Sequence, residues 1–131
     1  MPIVITRDDE LRRLTATVTG PLDTATFADF TLNARAGDLR TYTLMFDARA
    51  ATFEITADEV RTVILPIIHR LRAVEGDRAA AALLVADSVA PKLARMFETL
   101  VDAQPDAGFY GVFRDEAMAE AWLTSAWDPR R

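Results

Sequence analysis

Two hydrophobic periods succeed one another along the chain. Residues 2–7 (PIVITR) and 11–19 (LRRLTATVT) are rich in β-branched side chains and partly alternate apolar with polar positions, with the acidic turn DDE between them. That pattern predicts a β-hairpin. Gly20 and Pro21 end its second strand. Leu22, Phe27, Phe30 and Leu32 then recur toward a stop at Gly37, which predicts a helix over 24–35 whose first amides are capped by Asp23 or Thr24.

The run TYTLMFD at 41–47 is short, apolar and β-favouring, as in a strand buried on both faces of a parallel sheet. The eight residues after it, 48–55, read as a loop. From Thr56 onward, Val60, Val63, Ile64, Ile67, Ile68 and Leu71 fall at helical spacing, and Thr56 with Glu59 three residues later forms a capping box. Pro66 lies inside that helix, where it removes a hydrogen bond. The helix must kink there, or tertiary packing must absorb the cost.

AAALLVAD at 80–87 reads as another buried strand, followed by a helix over 89–103 capped by Ser88. GFYGVF at 108–113 is a further short strand, and Asp115 caps a last helix, EAMAEAWLTSA. The resulting order, β-β-α-β-α-β-α-β-α, predicts one α/β domain over 1–126: an N-terminal hairpin, a mostly parallel central sheet and helices on both faces. Residues 127–131 (WDPRR) form a tail.

Composition narrows the functions this frame can carry. The chain has 131 residues, 50% hydrophobic and 27% charged, as expected of a single globular domain. Its net charge of −5 argues against a nucleic-acid partner, because phosphate binding needs clustered positive charge. The absence of cysteine excludes disulfides and thiolate chemistry and fits a reducing compartment. Acids early in MPIVITRDDE do not suit a signal peptide, and no run approaches the roughly twenty apolar residues that would span a bilayer. A cytoplasmic location is the expectation.

In open α/β sheets, ligands sit beyond the carboxyl ends of the strands, where helix N-termini also point. That edge gathers Asp47 and Arg49 after one strand, Thr56 at a helix start, Asp87 and Ser88 after the next strand, and Arg114 with Asp115 after the last. Thr56, Ser88 and Asp115 also serve as ordinary helix caps. No catalytic set emerges. His69 is the sole histidine, Ser88 and Ser125 lie in no nucleophile elbow, and Gly76, Gly108 and Gly111 build no phosphate loop. No acidic spacing suggests a metal site, and no cofactor is expected.

Several phrases carry a resemblance: LTATVTGPLD at 14–23, LMFDARA at 44–50, LARMFETL at 93–100 and VFRDEAMAEAWL at 112–123. Together they resemble the bacterial SpoIIAA-like, or STAS-like, single-domain proteins, related to the anti-sigma-factor antagonists and sharing features with CRAL-TRIO lipid-binding domains. The resemblance implies a SpoIIAA-like sandwich and a non-enzymatic regulatory module that acts through a protein partner or a small nonpolar ligand. In the antagonist branch a serine at a helix start is phosphorylated. Here the matching stretch, EITADEV, offers only Thr56, beside Asp58 and Glu59.

The other analogy is binding of a lipid or weak association with a membrane surface. It points to the strongly apolar helix VILPIIHRL, with Ile64, Ile67 and Ile68, and to Phe53 as a lid from the preceding loop. A partner copy covering that helix would instead make a homodimer.

Overall fold

The computed structural model describes residues 3–33, 39, 42–64, 66–67, 80–86, 95 and 110–126. The expected hairpin is present: β1 (Ile3–Asp8) pairs antiparallel with β2 (Arg13–Asp23), in a register running from Ile3 opposite Val18 to Asp8 opposite Arg13. Asp8 closes the turn by accepting the Leu11 amide at 3.0 Å. The parallel strands β3 (Thr43–Glu54), β4 (Ala81–Leu84) and β5 (Tyr110–Phe113) follow, so the sheet order is β1-β2-β3-β4-β5.

Side-chain alternation divides the sheet between two layers. Leu14, Ala16 and Val18 of β2 join Leu44 and Phe46 of β3 on one face. That face is covered by α1 (Thr24–Asn33) and by α2 (Ala57–Glu59), which continues as a π-helical turn over Val60–Ile64. Phe46 meets the rings of Phe27 and Phe30 edge-on, at centroid distances of 5.3 and 5.1 Å. On the opposite face Met45, Ala82 and Leu84 pack under Ala119 and Leu123 of α3 (Glu116–Ala126). Helices therefore lie on both faces, as the β-α alternation predicts. Of the expected helix over 89–103 only Arg95 is among the described residues, and it is helical, while the tail at 127–131 lies outside them.

The π-helical turn explains how Pro66 is accommodated. Proline cannot donate to the carbonyl four residues back, and its ring crowds that carbonyl. A widened turn ending at Ile64, two residues before it, relieves such a clash.

One strand differs from its sequence reading. β3 does not end at Asp47. It continues to Glu54, paired in parallel with a matching continuation of β2 through Gly20, Pro21 and Leu22. Thr17 lies opposite Asp47 but Thr19 lies opposite Ala50, so β3 carries one extra residue, a bulge at Ala48–Arg49. A shift of one residue exchanges the faces of a strand. Beyond the bulge, Phe53 therefore turns into the core beside the fully buried Leu22, while Ala50, Thr52 and Glu54 turn outward. The eight-residue loop expected at 48–55 is thus mostly strand. Pro21 is tolerated because β1 pairs with β2 only as far as Val18, so among the described strands this part of β2 is at an edge.

Two further residues position α3. Arg13, only 7% exposed, donates from Nη2 to Thr124 Oγ1 at 3.0 Å and to the Glu120 carbonyl at 3.4 Å, tying the helix to β2. Gly111 sits close under the Phe113 and Trp122 rings. A Cβ there would lie 2.7 Å from Phe113 Cε2 and 3.4 Å from Trp122 Cη2. Gly111→Ala is expected to destabilise the fold by about 1–3 kcal/mol through overpacking. Urea denaturation of Gly111→Ala, Phe113→Leu and the double variant should show a clearly sub-additive loss, and strict additivity would contradict this contact.

Candidate functional site

The continuations of β2 and β3 form a two-stranded ribbon, Thr19–Asp23 beside Ala50–Glu54, which projects past the end of β4, whose Leu84 pairs with Asp47. The strand order never reverses among the described strands, so no topological crevice of the doubly wound type opens there. The ribbon is what distinguishes the carboxyl edge. Its inner face is anchored by Leu22 and Phe53, and its outer face presents Thr19, Pro21, Ala50 and Thr52 to solvent.

Both ribbon strands lead directly into helix caps. Asp23 Oδ1 accepts the Thr26 amide at 2.8 Å and starts α1. The capping box at α2 forms as its spacing predicts: the Thr56 amide donates to Glu59 Oε1 at 3.0 Å, and the Glu59 amide donates to Thr56 Oγ1 at 3.1 Å. The Thr56 amide holds the Glu59 carboxyl below the usual range. Thr56 is exposed, and so are Asp23, Glu54 and Asp58, so the rim is acidic. Arg61 engages Asp58 at 2.5 Å.

At the foot of the ribbon, Arg49 links three elements. Its Nε donates to Asp47 Oδ1 at 3.0 Å and its Nη2 to Asp47 Oδ2 at 2.8 Å, a bidentate pair. The same Nη2 reaches Glu116 Oε1 at 2.7 Å, and the Arg49 amide donates to Asp47 Oδ1 at 3.2 Å. Thus the bulge aims Arg49 across the edge to the first turn of α3, which Asp115 caps by accepting the Ala117 amide at 2.8 Å. Hydrogen bonding to Arg49 lowers the titration of Asp47.

A carboxyl held below its unfolded value stabilises the fold above that value, and the contribution is lost as pH falls through the folded one. Arg49→Met should therefore return the Asp47 carboxyl toward its ordinary range and remove that part of the acid-side stability loss. Carboxyl carbon NMR titration of wild type and variant checks this, and an unmoved Asp47 would contradict it.

Of the sequence-derived set, Asp47 and Arg49 pair at the foot of the ribbon, Phe53 packs against the core, and Thr56 follows the ribbon's far end. Arg114 is exposed at the end of β5. Ile64 is 1% exposed and belongs to the core, whereas Ile67 is half-buried. Ile68, Asp87 and Ser88 lie outside the described residues. Sequence reasoning missed Glu116, because nothing in a helix's first turn announces a partner 67 residues away.

It also missed a cluster at the opposite edge. There Tyr42 Oη and Arg7 Nε both donate to Asp9 Oδ1 at 2.5 Å, and the guanidinium carbons of Arg7 and Arg12 stand 5.3 and 5.4 Å from the Tyr42 ring centroid. Among the described residues no three histidine, cysteine, aspartate or glutamate side chains are grouped to hold a metal ion. No described helix is long and apolar enough to cross a membrane.

No protein-family model matches the chain, and no curated protein matches it in sequence. Solved structures do match. The anti-sigma factor antagonist SpoIIAA in its unphosphorylated form is similar with a TM-score of 0.52 and 17% identity, over 91% of this chain and 93% of that one. An uncharacterized protein of the DUF3478 family from Shewanella loihica, described as having a SpoIIAA-like fold, is similar with a TM-score of 0.54 and 15% identity, over 92% and 91%. At these identities the likeness concerns the fold, and it extends over nearly the whole chain: the protein has a SpoIIAA-like fold.

Proposed function

We propose that this chain is a STAS-type regulatory module that works by binding a protein partner at its carboxyl edge, without turnover. The observation that carries the reading is the ribbon. Two strands continue past the sheet, anchored by Leu22 and Phe53, and present a small-residue outer face beside the exposed cap at Thr56. Order of this kind limits the conformational entropy lost on binding. The rim residues Asp23, Glu54 and Asp58 favour a partner with a basic face, so its association should weaken with added salt.

A photo-crosslinking amino acid at Thr52, in cells of the source organism, provides the test. Mass spectrometry should identify a specific protein adduct. With that protein purified, a Glu54→Lys/Asp58→Lys variant should bind at least about tenfold more weakly, a loss in the range for charge reversal at a recognition surface. Unchanged affinity would sink the proposal.

A phospho-switch at Thr56 is a second reading, favoured by the exposure of its hydroxyl at a helix start. The Glu59 carboxylate in the capping box and the neighbouring Asp58 work against it, since a phosphate there would face like charge. Binding of a small nonpolar ligand, or of a lipid surface, rests on less. With Ile64 in the core and Phe53 packed against it, the described apolar surface at this helix reduces to Ile67 and Val63.

A further inference from the structure

The first strand carries an exposed apolar stretch that the carboxyl edge does not use. β1 is the end strand of the sheet, yet Val4 is 64% and Ile5 is 52% exposed. Because these residues are consecutive, they stand on opposite faces of the strand, so no single helix laid over the sheet would cover both. A strand added at the edge would cover both.

The backbone polarity at that edge follows from one hydrogen bond. The Thr43 amide donates to the Arg12 carbonyl at 2.9 Å, so that carbonyl points toward β3. In a trans peptide unit the next N–H, that of Arg13, points the opposite way, toward β1. Alternate residues of β2, namely Arg13, Thr15 and Thr17, therefore direct their backbone groups at Asp8, Thr6 and Val4. Ile3 and Ile5 direct theirs outward, where the sheet has no further described strand.

We propose that β1 is a self-association edge, pairing antiparallel with β1 of a second copy about a two-fold axis at Val4. This register places Ile3 opposite the partner's Ile5 and Val4 opposite the partner's Val4, so each exposed apolar side chain meets its own kind. Both isoleucines then exchange backbone hydrogen bonds with the partner, while Arg7 and Asp8 face no residue of the partner's Ile3–Asp8 strand, so within the paired strands no like charges meet. The second copy is the occupant that this self-complementarity selects. The contact is isologous and closes at two chains. It spans only a few residues, well below the roughly 1,200 Å² of a stable interface, so the dimer is weak. Each chain carries −5, so salt should strengthen the association, opposite to its effect on a basic partner at the carboxyl edge.

Sedimentation velocity from about 0.02 to about 0.5 mM, a range suited to a sub-standard interface, tests this. The weight-average mass should rise from 14.5 kDa toward twice that value, further at high salt. Hydrogen exchange at the Ile3 and Ile5 amides should slow with concentration, while that of Val4, already bonded to β2, should not change. Val4→Lys/Ile5→Lys should reduce association at least about tenfold with the urea midpoint kept near wild type, as expected of exposed positions. Val63→Lys, at an exposed position on the π-helical turn, should leave association intact. Purely monomeric protein at the highest concentration would overturn the proposal. So would a dimer that survives the double lysine variant or is lost in Val63→Lys.

Discussion

Phe46→Ala is expected to lower the free energy of unfolding by about 3–5 kcal/mol, measured by urea denaturation. Phe46 is 5% exposed at the centre of the sheet, and its ring packs in T-shaped contacts with Phe27 and Phe30 of α1. Truncation removes the transfer energy of the ring, leaves a cavity, and ends two aromatic contacts that each add about 0.5–1.5 kcal/mol beyond area burial. A domain of this size is stable by only about 5–15 kcal/mol, so the variant should populate unfolded protein at modest denaturant. The consequence reaches the carboxyl edge, because α1 is capped by Asp23, the last residue of β2 in the ribbon. A loss below about 1 kcal/mol would mean that α1 is not held through these rings.

Ile64→Asp is expected to be at least as damaging, about 4 kcal/mol or more. Its side chain is 1% exposed within the cluster formed by β2, β3, α1 and the π-helical turn, and a carboxylate there would be buried without an ion partner among the described residues. Circular dichroism should show a largely unfolded chain or a sharply lowered thermal midpoint. Ile67→Asp, at a half-buried position, should keep the fold and cost far less. Of the two, only Ile67→Asp leaves a folded protein in which nonpolar-ligand binding can be assayed. A stable, folded Ile64→Asp would show that this side chain faces something other than the core.

The elements with unambiguous chemistry were legible in the sequence. The hairpin, the apolar strands, the Asp23, Thr56 and Asp115 caps and the closing helix all follow from local pattern, because each depends on residues within a few positions of one another. The ribbon was not legible, and the reason is specific. The bulge at Ala48–Arg49 interrupts the period-two alternation, and small residues on either side hide the change of face, so a strand of twelve residues reads as seven plus a loop. Gly20 and Pro21 strengthen the misreading. Gly20 does take a positive φ of 77°, as a turn residue would, yet the chain stays paired through it.

The candidate site was legible as an edge and illegible as a network. Asp47 and Arg49 are close in sequence, and their types suggest a pair. Glu116 joins them only because β3 and the start of α3 meet at that edge, which no spacing encodes. Likewise Arg13 reads as a surface arginine in LRRL, and its burial against Thr124 depends on where α3 lies across the sheet. Ile64 shows the converse: helical periodicity rightly marked it as apolar, but only packing decides whether an apolar position meets the core or a ligand.

Amide hydrogen exchange over Thr19–Asp23 and Ala50–Glu54 tests the central claim, an ordered recognition ribbon at the carboxyl edge, most directly. In the free protein the ribbon amides that pair β2 with β3 should exchange well below the rate of an open loop. With the crosslinked partner bound, protection should increase at the ribbon and at the start of α2, with β1 unchanged. Exchange of residues 50–54 at the open-loop rate would contradict the account, and so would partner-induced protection that bypasses the ribbon and falls on α3 alone.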